Sequence, residues 1–153
     1  MNTRLLMVCH VLLLVVVMAA PARSAETDEA GQRKLLAGDW RGFAVEGKGE
    51  NPDAGAVKLE LTITDKTIHG VTFQGGQRVD QGEGKYALDL AAAPAALDGS
   101  KLRLNGRQET WLGIYTLEGD TLKWCVGRRE RPTEFETVKG QFLLILRRAK
   151  PAP

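Results

Sequence analysis

One stretch of the chain alternates between apolar and polar residues with a period of two. Residues 57–64 read VKLELTIT, so the residues at positions 57, 59, 61 and 63 are all apolar. A strand places alternate side chains on opposite faces, and this pattern is therefore typical of a half-buried β-strand. Asp65-Lys66 then forms a two-residue turn into a second apolar segment, residues 67–73, which predicts a β-hairpin.

Short segments of the same character recur along the chain, separated by turn residues such as Asn105-Gly106 and Gly119-Asp120. They cover residues 40–45, 85–90, 101–104, 109–117, 121–126 and 142–148. About eight short strands at this spacing favour an antiparallel barrel or sandwich. We favour the barrel, because closure removes exposed strand edges. The only predicted helix is a short one, of one or two turns after Asp28, and Gly38 is its stop.

The N-terminus has the three parts of a secretory signal. Arg4 supplies a basic start, residues 5–20 form a largely apolar core of 16 residues, and small residues follow. This core is shorter than the roughly 20 residues that a bilayer-spanning helix needs. We expect cleavage before Ala25, with Arg23 as the alternative first residue. An uncleaved N-terminal anchor is the other interpretation.

Cleavage before Ala25 would change the length, the net charge and the cysteine content of the protein. The mature domain would have 153 − 24 = 129 residues, with 19 Lys+Arg against 19 Asp+Glu, because the signal removes two arginines and no acid. A balanced charge gives no support to nucleic-acid binding. Cys125 would be the only cysteine, either a buried strand residue, a reactive thiol or half of an intermolecular disulfide. We divide the chain into a signal peptide (1–24), an N-terminal segment with a short helix (25–37), a barrel (38–149) and a tail (150–153).

Two stretches resemble known barrels. Gly38-Asp39-Trp40 is similar to the G-x-W signature of lipocalin-type barrels, in which the tryptophan closes one barrel end and a basic residue of the last strand packs across it. This resemblance implies that Trp40 and Arg148, with Arg147 as second candidate, are barrel-closing residues. A guanidinium over an indole contributes about 0.5–2 kcal/mol.

The chain also resembles a secreted lipocalin-like domain family that is abundant in planctomycetes and has no known activity. The match spans about residues 35–148, and the family usually has a smaller apolar residue at Trp124 and a longer loop near Gly127. The stretches that carry it are residues 86–89, 94–98, 113–125, 131–135 and 144–148. The resemblance implies a calycin-type barrel and export to the periplasm or the medium, and it implies no chemistry.

Aromatic residues provide the candidate ligand site. Trp111 and Tyr115 share one face of their predicted strand, and Trp124 shares a face with Leu122 and Val126 on the next. If both faces point inward, Trp111, Tyr115 and Trp124 either fill the core or line a pocket for a small apolar ligand.

Catalytic and metal-binding patterns are missing from the mature sequence. A zinc site needs three or four His, Cys or carboxylate ligands, and His69 and Cys125 lie far apart in sequence. His69 is interpreted as an exposed or hydrogen-bonded strand histidine, and Asp98 and Asp120, each beside a glycine, as turn residues. We therefore expect no catalytic residues, no metal and no cofactor.

Three functions remain open on these grounds. The first is an exported barrel that binds a small apolar ligand. The second is a protein-interaction or inhibitor module, with an envelope protein as partner, acting through the loops 47–55 and 127–133. The third, an enzyme, has the weakest support because the residue inventory is poor. We expect no membrane span after cleavage.

Overall fold

The computed structural model describes residues 23–46, 57–138 and 140–150. Within these ranges, one helix is followed by eight strands that form a closed barrel, each strand antiparallel to the next and β8 pairing back with β1. The elements are α1 Arg23–Leu36, β1 Gly38–Glu46, β2 Val57–Ile63, β3 Thr67–Gln74, β4 Gln77–Asp89, β5 Ala96–Leu102, β6 Gln108–Glu118, β7 Thr121–Gly127 and β8 Gln141–Arg148. The predicted eight-stranded antiparallel barrel is thereby confirmed. Most of the predicted signal peptide, residues 1–22, lies outside the described residues.

The predicted hairpin of β2 and β3 is present, with Leu61 opposite Gly70. Two strands extend further than their sequences indicated. β4 begins at Gln77 rather than at residue 85, because its first half pairs with β3 through glycines and polar residues, with an irregularity between Gly70 and Val71. β5 begins at Ala96, so the interpretation of Asp98 as a turn residue was wrong.

The helix α1 is longer than predicted and begins at Arg23 rather than after Asp28. Glu29 and Arg33, one helical turn apart, form an ion pair of 2.7 Å that supports the helix. The helix ends at Leu36, and Gly38 follows with a φ of 134°, a backbone conformation that favours glycine. The predicted stop at Gly38 is therefore confirmed.

The barrel has one apolar cluster inside and a smaller one outside. The inner cluster is formed by the inward side chains of the strands, and Tyr115 opposite Trp124 shows that the apolar faces of β6 and β7 coincide. The outer cluster consists of Ile114, Cys125 and Leu143, against which Phe135 packs. Phe135 belongs to residues 128–138, which we call the strap, because they cross this outer face between β7 and β8.

The helix α1 covers one end of the barrel. Leu36 is fully buried, and the Arg33 guanidinium lies 4.6 Å from the centre of the Tyr86 ring. Arg33 also donates to the carbonyl of Asp65, in the β2–β3 turn at the same end. In the described part of the chain, no helix combines the length and the apolar character needed to cross a membrane.

Candidate ligand-binding cavity

A cavity of about 880 Å³ occupies the half of the barrel away from α1. Its floor includes Leu61 and Trp124, and its mouth lies between the start of β8, at Phe142, and the β5–β6 turn, at Asn105. Pockets that hold small molecules typically measure about 300–1,000 Å³. The cavity is therefore of a size that suits one small ligand.

Glycines on three neighbouring strands form part of the cavity wall. Gly70 on β3, Gly84 on β4 and Gly99 on β5 all line the cavity. Inward positions of a small barrel are normally filled by side chains. Neighbouring groups occupy the place of each missing side chain: Leu61 at Gly70, the Ser100 carbonyl and Lys101 at Gly84, and the two tryptophans at Gly99.

The two tryptophans predicted for the site both line the cavity. They pack against Gly99, where an added Cβ would lie 3.4 Å from Trp111 Cε3 and 3.5 Å from Trp124 Cη2. The Trp124 indole donates to the carbonyl of Leu97 at 2.9 Å, which satisfies its polar group inside the barrel. An added Cβ on Gly113 would clash with the Trp124 ring, and glycine at this position therefore leaves the space that the indole occupies.

The wall behind Trp124 is held by side chains where the β5–β6 pairing is interrupted. The Cα pairing runs from Ala96↔Ile114 to Gly99↔Trp111 and skips the two positions between them. There the amide of Gly113 donates to Asp98 Oδ1 at 3.0 Å, and Arg131 Nη1 donates to the Gly113 carbonyl at 2.7 Å. These bonds replace the missing ladder bonds.

Arg131 also forms a two-armed ion pair with Asp98, at 2.6 Å and 2.8 Å. Hydrogen bonding to Asp98 is the largest contribution that raises the pKa of Arg131. This pair fastens the strap to the outer wall directly behind the cavity, so the loop 127–133 is anchored at its centre. The other predicted contact loop, 47–55, lies outside the described residues.

Tyr115, the third predicted ligand residue, does not line the cavity. It is 3% exposed and packs in the core at the helix-covered end of the barrel. Burial raises the pKa of Tyr115 and is opposed by a hydrogen bond with Gln32 of the helix. The structure thus brings Trp111 and Trp124 together at the cavity and places Tyr115 beneath the helix.

Trp40 and Arg148 meet at the helix-covered end. Trp40 is fully buried, and its indole donates to the carbonyl of Leu36 at 2.8 Å. The Arg148 guanidinium lies 4.3 Å from the centre of the Trp40 ring and donates to the carbonyls of Ala37 and Leu35. Arg147 is exposed.

The mouth of the cavity carries the charged groups of the site. Arg103 pairs with Glu109 at 2.6 Å across the β5–β6 turn. Lys101 points toward the cavity wall and donates from its ammonium group to the carbonyl of Gln81. Arg128 follows β7 at the same rim and is exposed.

His69 and Asp80 form a pair on β3 and β4, with His69 Nε2 2.9 Å from Asp80 Oδ1. The amide of Gly82 donates to the same oxygen, and this bond, followed by the one with His69, lowers the pKa of Asp80. His69 is thus a hydrogen-bonded strand histidine, as predicted. Within the described ranges, no three His, Cys, Asp or Glu side chains are close enough to hold a metal ion.

Cys125 is fully buried in the outer cluster. Its thiol lies 3.5 Å from the carbonyl of Glu136 in the strap, and burial raises its pKa. The reactive form of cysteine is the thiolate, and this environment disfavours it. The structure therefore fits the buried strand residue better than the reactive thiol.

Comparison with protein-family models, with curated proteins and with solved structures found no match for this chain.

Sequence reasoning identified the two tryptophans but missed the residues that shape their surroundings. No role was assigned to Gly99 and Gly113 from the sequence, although both lie where an indole ring approaches the backbone. Lys101 was assigned to a strand, but the face of the strand on which it lies was not predicted. Its parity with Leu97 and Gly99 is the signal that would have placed it inside.

Proposed function

We propose that this protein is an exported binding module that holds one small apolar ligand in the open half of its barrel. The observation that carries the proposal is the 880 Å³ cavity with Trp111 and Trp124 in its wall. Aromatic walls of this kind present a large apolar surface to a ligand, and burial of that surface drives binding. The basic start and apolar core of residues 1–20 support export.

Binding requires little rearrangement of the site. The Trp124 indole is already held by its hydrogen bond to the Leu97 carbonyl, and the wall behind it is braced by the ion pair of Asp98 with Arg131. A site whose side chains are fixed before the ligand arrives loses less conformational entropy on binding. The fixed tryptophans therefore favour a binding role over a merely filled core.

The proposal is tested with N-phenylnaphthylamine, a neutral apolar dye whose fluorescence rises in apolar surroundings. We expect saturable binding with one molecule per chain and displacement by other small apolar molecules. A titration that rises without saturation, or no rise at all, would contradict the proposal. Native mass spectrometry of protein from its own envelope would identify a retained ligand, and the intact mass would show whether the chain begins at Ala25.

A further inference from the structure

We infer that the ligand is an amphiphile with an anionic group, which Lys101 binds at the cavity mouth while the apolar body lies against Trp111 and Trp124. The inference rests on the proposed function, because it names the chemical class of ligand that the same cavity takes. It follows from the placement of one lysine and from the charge balance around it.

Lys101 faces the interior of the barrel. It follows Leu97 and Gly99 at intervals of two on β5, and both of these lie inside, Leu97 fully buried and Gly99 against the tryptophans. The side chain of a lysine on the same face must either extend out through the mouth of the cavity or lie along the cavity wall. The structure shows the second arrangement, with Lys101 lining the cavity and half-buried.

The Lys101 side chain packs against glycines of β4. An added Cβ on Gly84 would lie 3.5 Å from Lys101 Cβ, and one on Gly82 would lie 3.2 Å from Lys101 Nζ. The side chain therefore runs along a surface without side chains, and its ammonium group ends at the carbonyl of Gln81. An ammonium group has three donors, so this one contact leaves two donors for a ligand.

The charges that line the cavity do not cancel. Arg103 is paired with Glu109, whereas Asp80 is hydrogen-bonded to His69, which carries a charge only when it is protonated. Among the described residues, the remaining lining cations have no carboxylate within ion-pair distance: Lys85, Lys101 and Arg128. The lining thus has four cations against the two carboxylates of Asp80 and Glu109, and two of these cations, Lys101 and Arg128, lie toward the mouth above an apolar floor.

This arrangement matches a ligand with two ends. A carboxylate, phosphate or sulfonate at the mouth would receive charge-assisted hydrogen bonds from Lys101, with Arg128 at the same rim. A neutral ligand would fill the apolar floor equally well and leave these cations without a counter-charge. The anionic group therefore adds affinity, and it fixes the direction in which the ligand enters.

Two dyes test this directly. Anilinonaphthalene sulfonate and N-phenylnaphthylamine share one aromatic skeleton and differ by the sulfonate alone. We expect Lys101→Met to weaken binding of the sulfonate about fivefold to tenfold, a loss of about 1–1.4 kcal/mol, and to leave the neutral dye within about twofold. Lys66→Met, at the opposite end of the barrel in the exposed β2–β3 turn, is the matched control and should bind both dyes as the unaltered protein does.

The salt dependence of the unaltered protein gives a second measurement that needs no variant. Raising the ionic strength screens charges at the mouth. It should therefore weaken binding of the sulfonate dye but not binding of the neutral dye. Two results would overturn the inference of an anionic ligand: equal affinity for both dyes with no salt dependence, or an equal loss of affinity for both dyes in Lys101→Met. Either result would still be consistent with an apolar ligand in the cavity. Failure of the neutral dye to bind the unaltered protein would instead overturn the proposed function itself.

Discussion

The guanidinium of Arg148, on the last strand of the barrel, lies 4.3 Å from the centre of the Trp40 ring on the first strand. Besides this contact, Arg148 donates to the carbonyls of Leu35 and Ala37 at the C-terminal end of α1, and to Asp120 in the β6–β7 turn. The carbonyls at a helix end lack partners within the helix and favour a cation. One side chain thus satisfies the end of the helix and covers the buried indole.

Replacing Trp40 with alanine should lower the free energy of unfolding by about 3–5 kcal/mol, because a fully buried aromatic side chain leaves a cavity that the structure fills only in part. Urea unfolding followed by circular dichroism measures the change. Unfolding at the same urea concentration as the unaltered protein would show that Trp40 does not close the barrel.

Replacing Arg148 with methionine should cost about 1–3 kcal/mol, from the lost contact with the indole ring and the lost charge-assisted hydrogen bonds. Arg147→Met is the matched control, since Arg147 is exposed and next in sequence, and it should stay within about 0.5 kcal/mol. The same unfolding assay compares the two variants. An equal effect of both would contradict a specific role for Arg148.

Alkaline pH should reveal the burial of both tyrosines. Burial is the main reason that the pKa values of Tyr86 and Tyr115 are raised, and these are the two tyrosines of the chain. A raised folded pKa stabilises the protein below the unfolded value of about 10, and this contribution is lost as the pH rises through the folded pKa. The tyrosinate absorbance of the native protein should therefore appear at higher pH than that of the protein in denaturant. Coincident titrations would show that neither ring is shielded.

The sequence was sufficient to predict the barrel, but it was not sufficient to predict the structure at the two ends of the barrel. The alternation in β2 and the turn at Asp65-Lys66 fixed a hairpin because local residues determine both. The covering helix was only partly predicted, because it is polar apart from a few residues such as Leu36 and gains its place from contacts with distant strands. Local propensity does not contain that information.

The same limit applies to the cavity. The pairing of Asp98 with Arg131 joins residues 33 positions apart, and the direction of Lys101 depends on the register of β5 within a closed barrel. Parity placed Trp111 and Trp124 on one face of the wall. It also grouped Tyr115 with them, because parity gives the face of a strand and not the depth along the barrel axis.

The strap should protect Cys125 through the ion pair of Arg131 with Asp98. Arg131→Met removes both arms of the pair and should loosen the strap, whose Glu136 carbonyl lies against the thiol. If local opening becomes easier by about 1.4 kcal/mol, the reaction of Cys125 with Ellman's reagent should accelerate about tenfold. Arg129→Met, in the exposed part of the strap, is the control. Equal thiol reactivity in both variants would show that the pair does not hold the strap.

The central claim is that the apolar ligand occupies the open half of the barrel, and one pair of variants tests it most directly. Ala44 lines the cavity, and Ala87 is exposed on β4, so Ala44→Phe adds a ring inside the barrel and Ala87→Phe adds the same ring outside. In a titration with N-phenylnaphthylamine, we expect Ala44→Phe to lose at least about tenfold in affinity, because the added ring takes the space of the ligand, and Ala87→Phe to bind as the unaltered protein does. Unchanged binding by a folded Ala44→Phe protein would contradict the account.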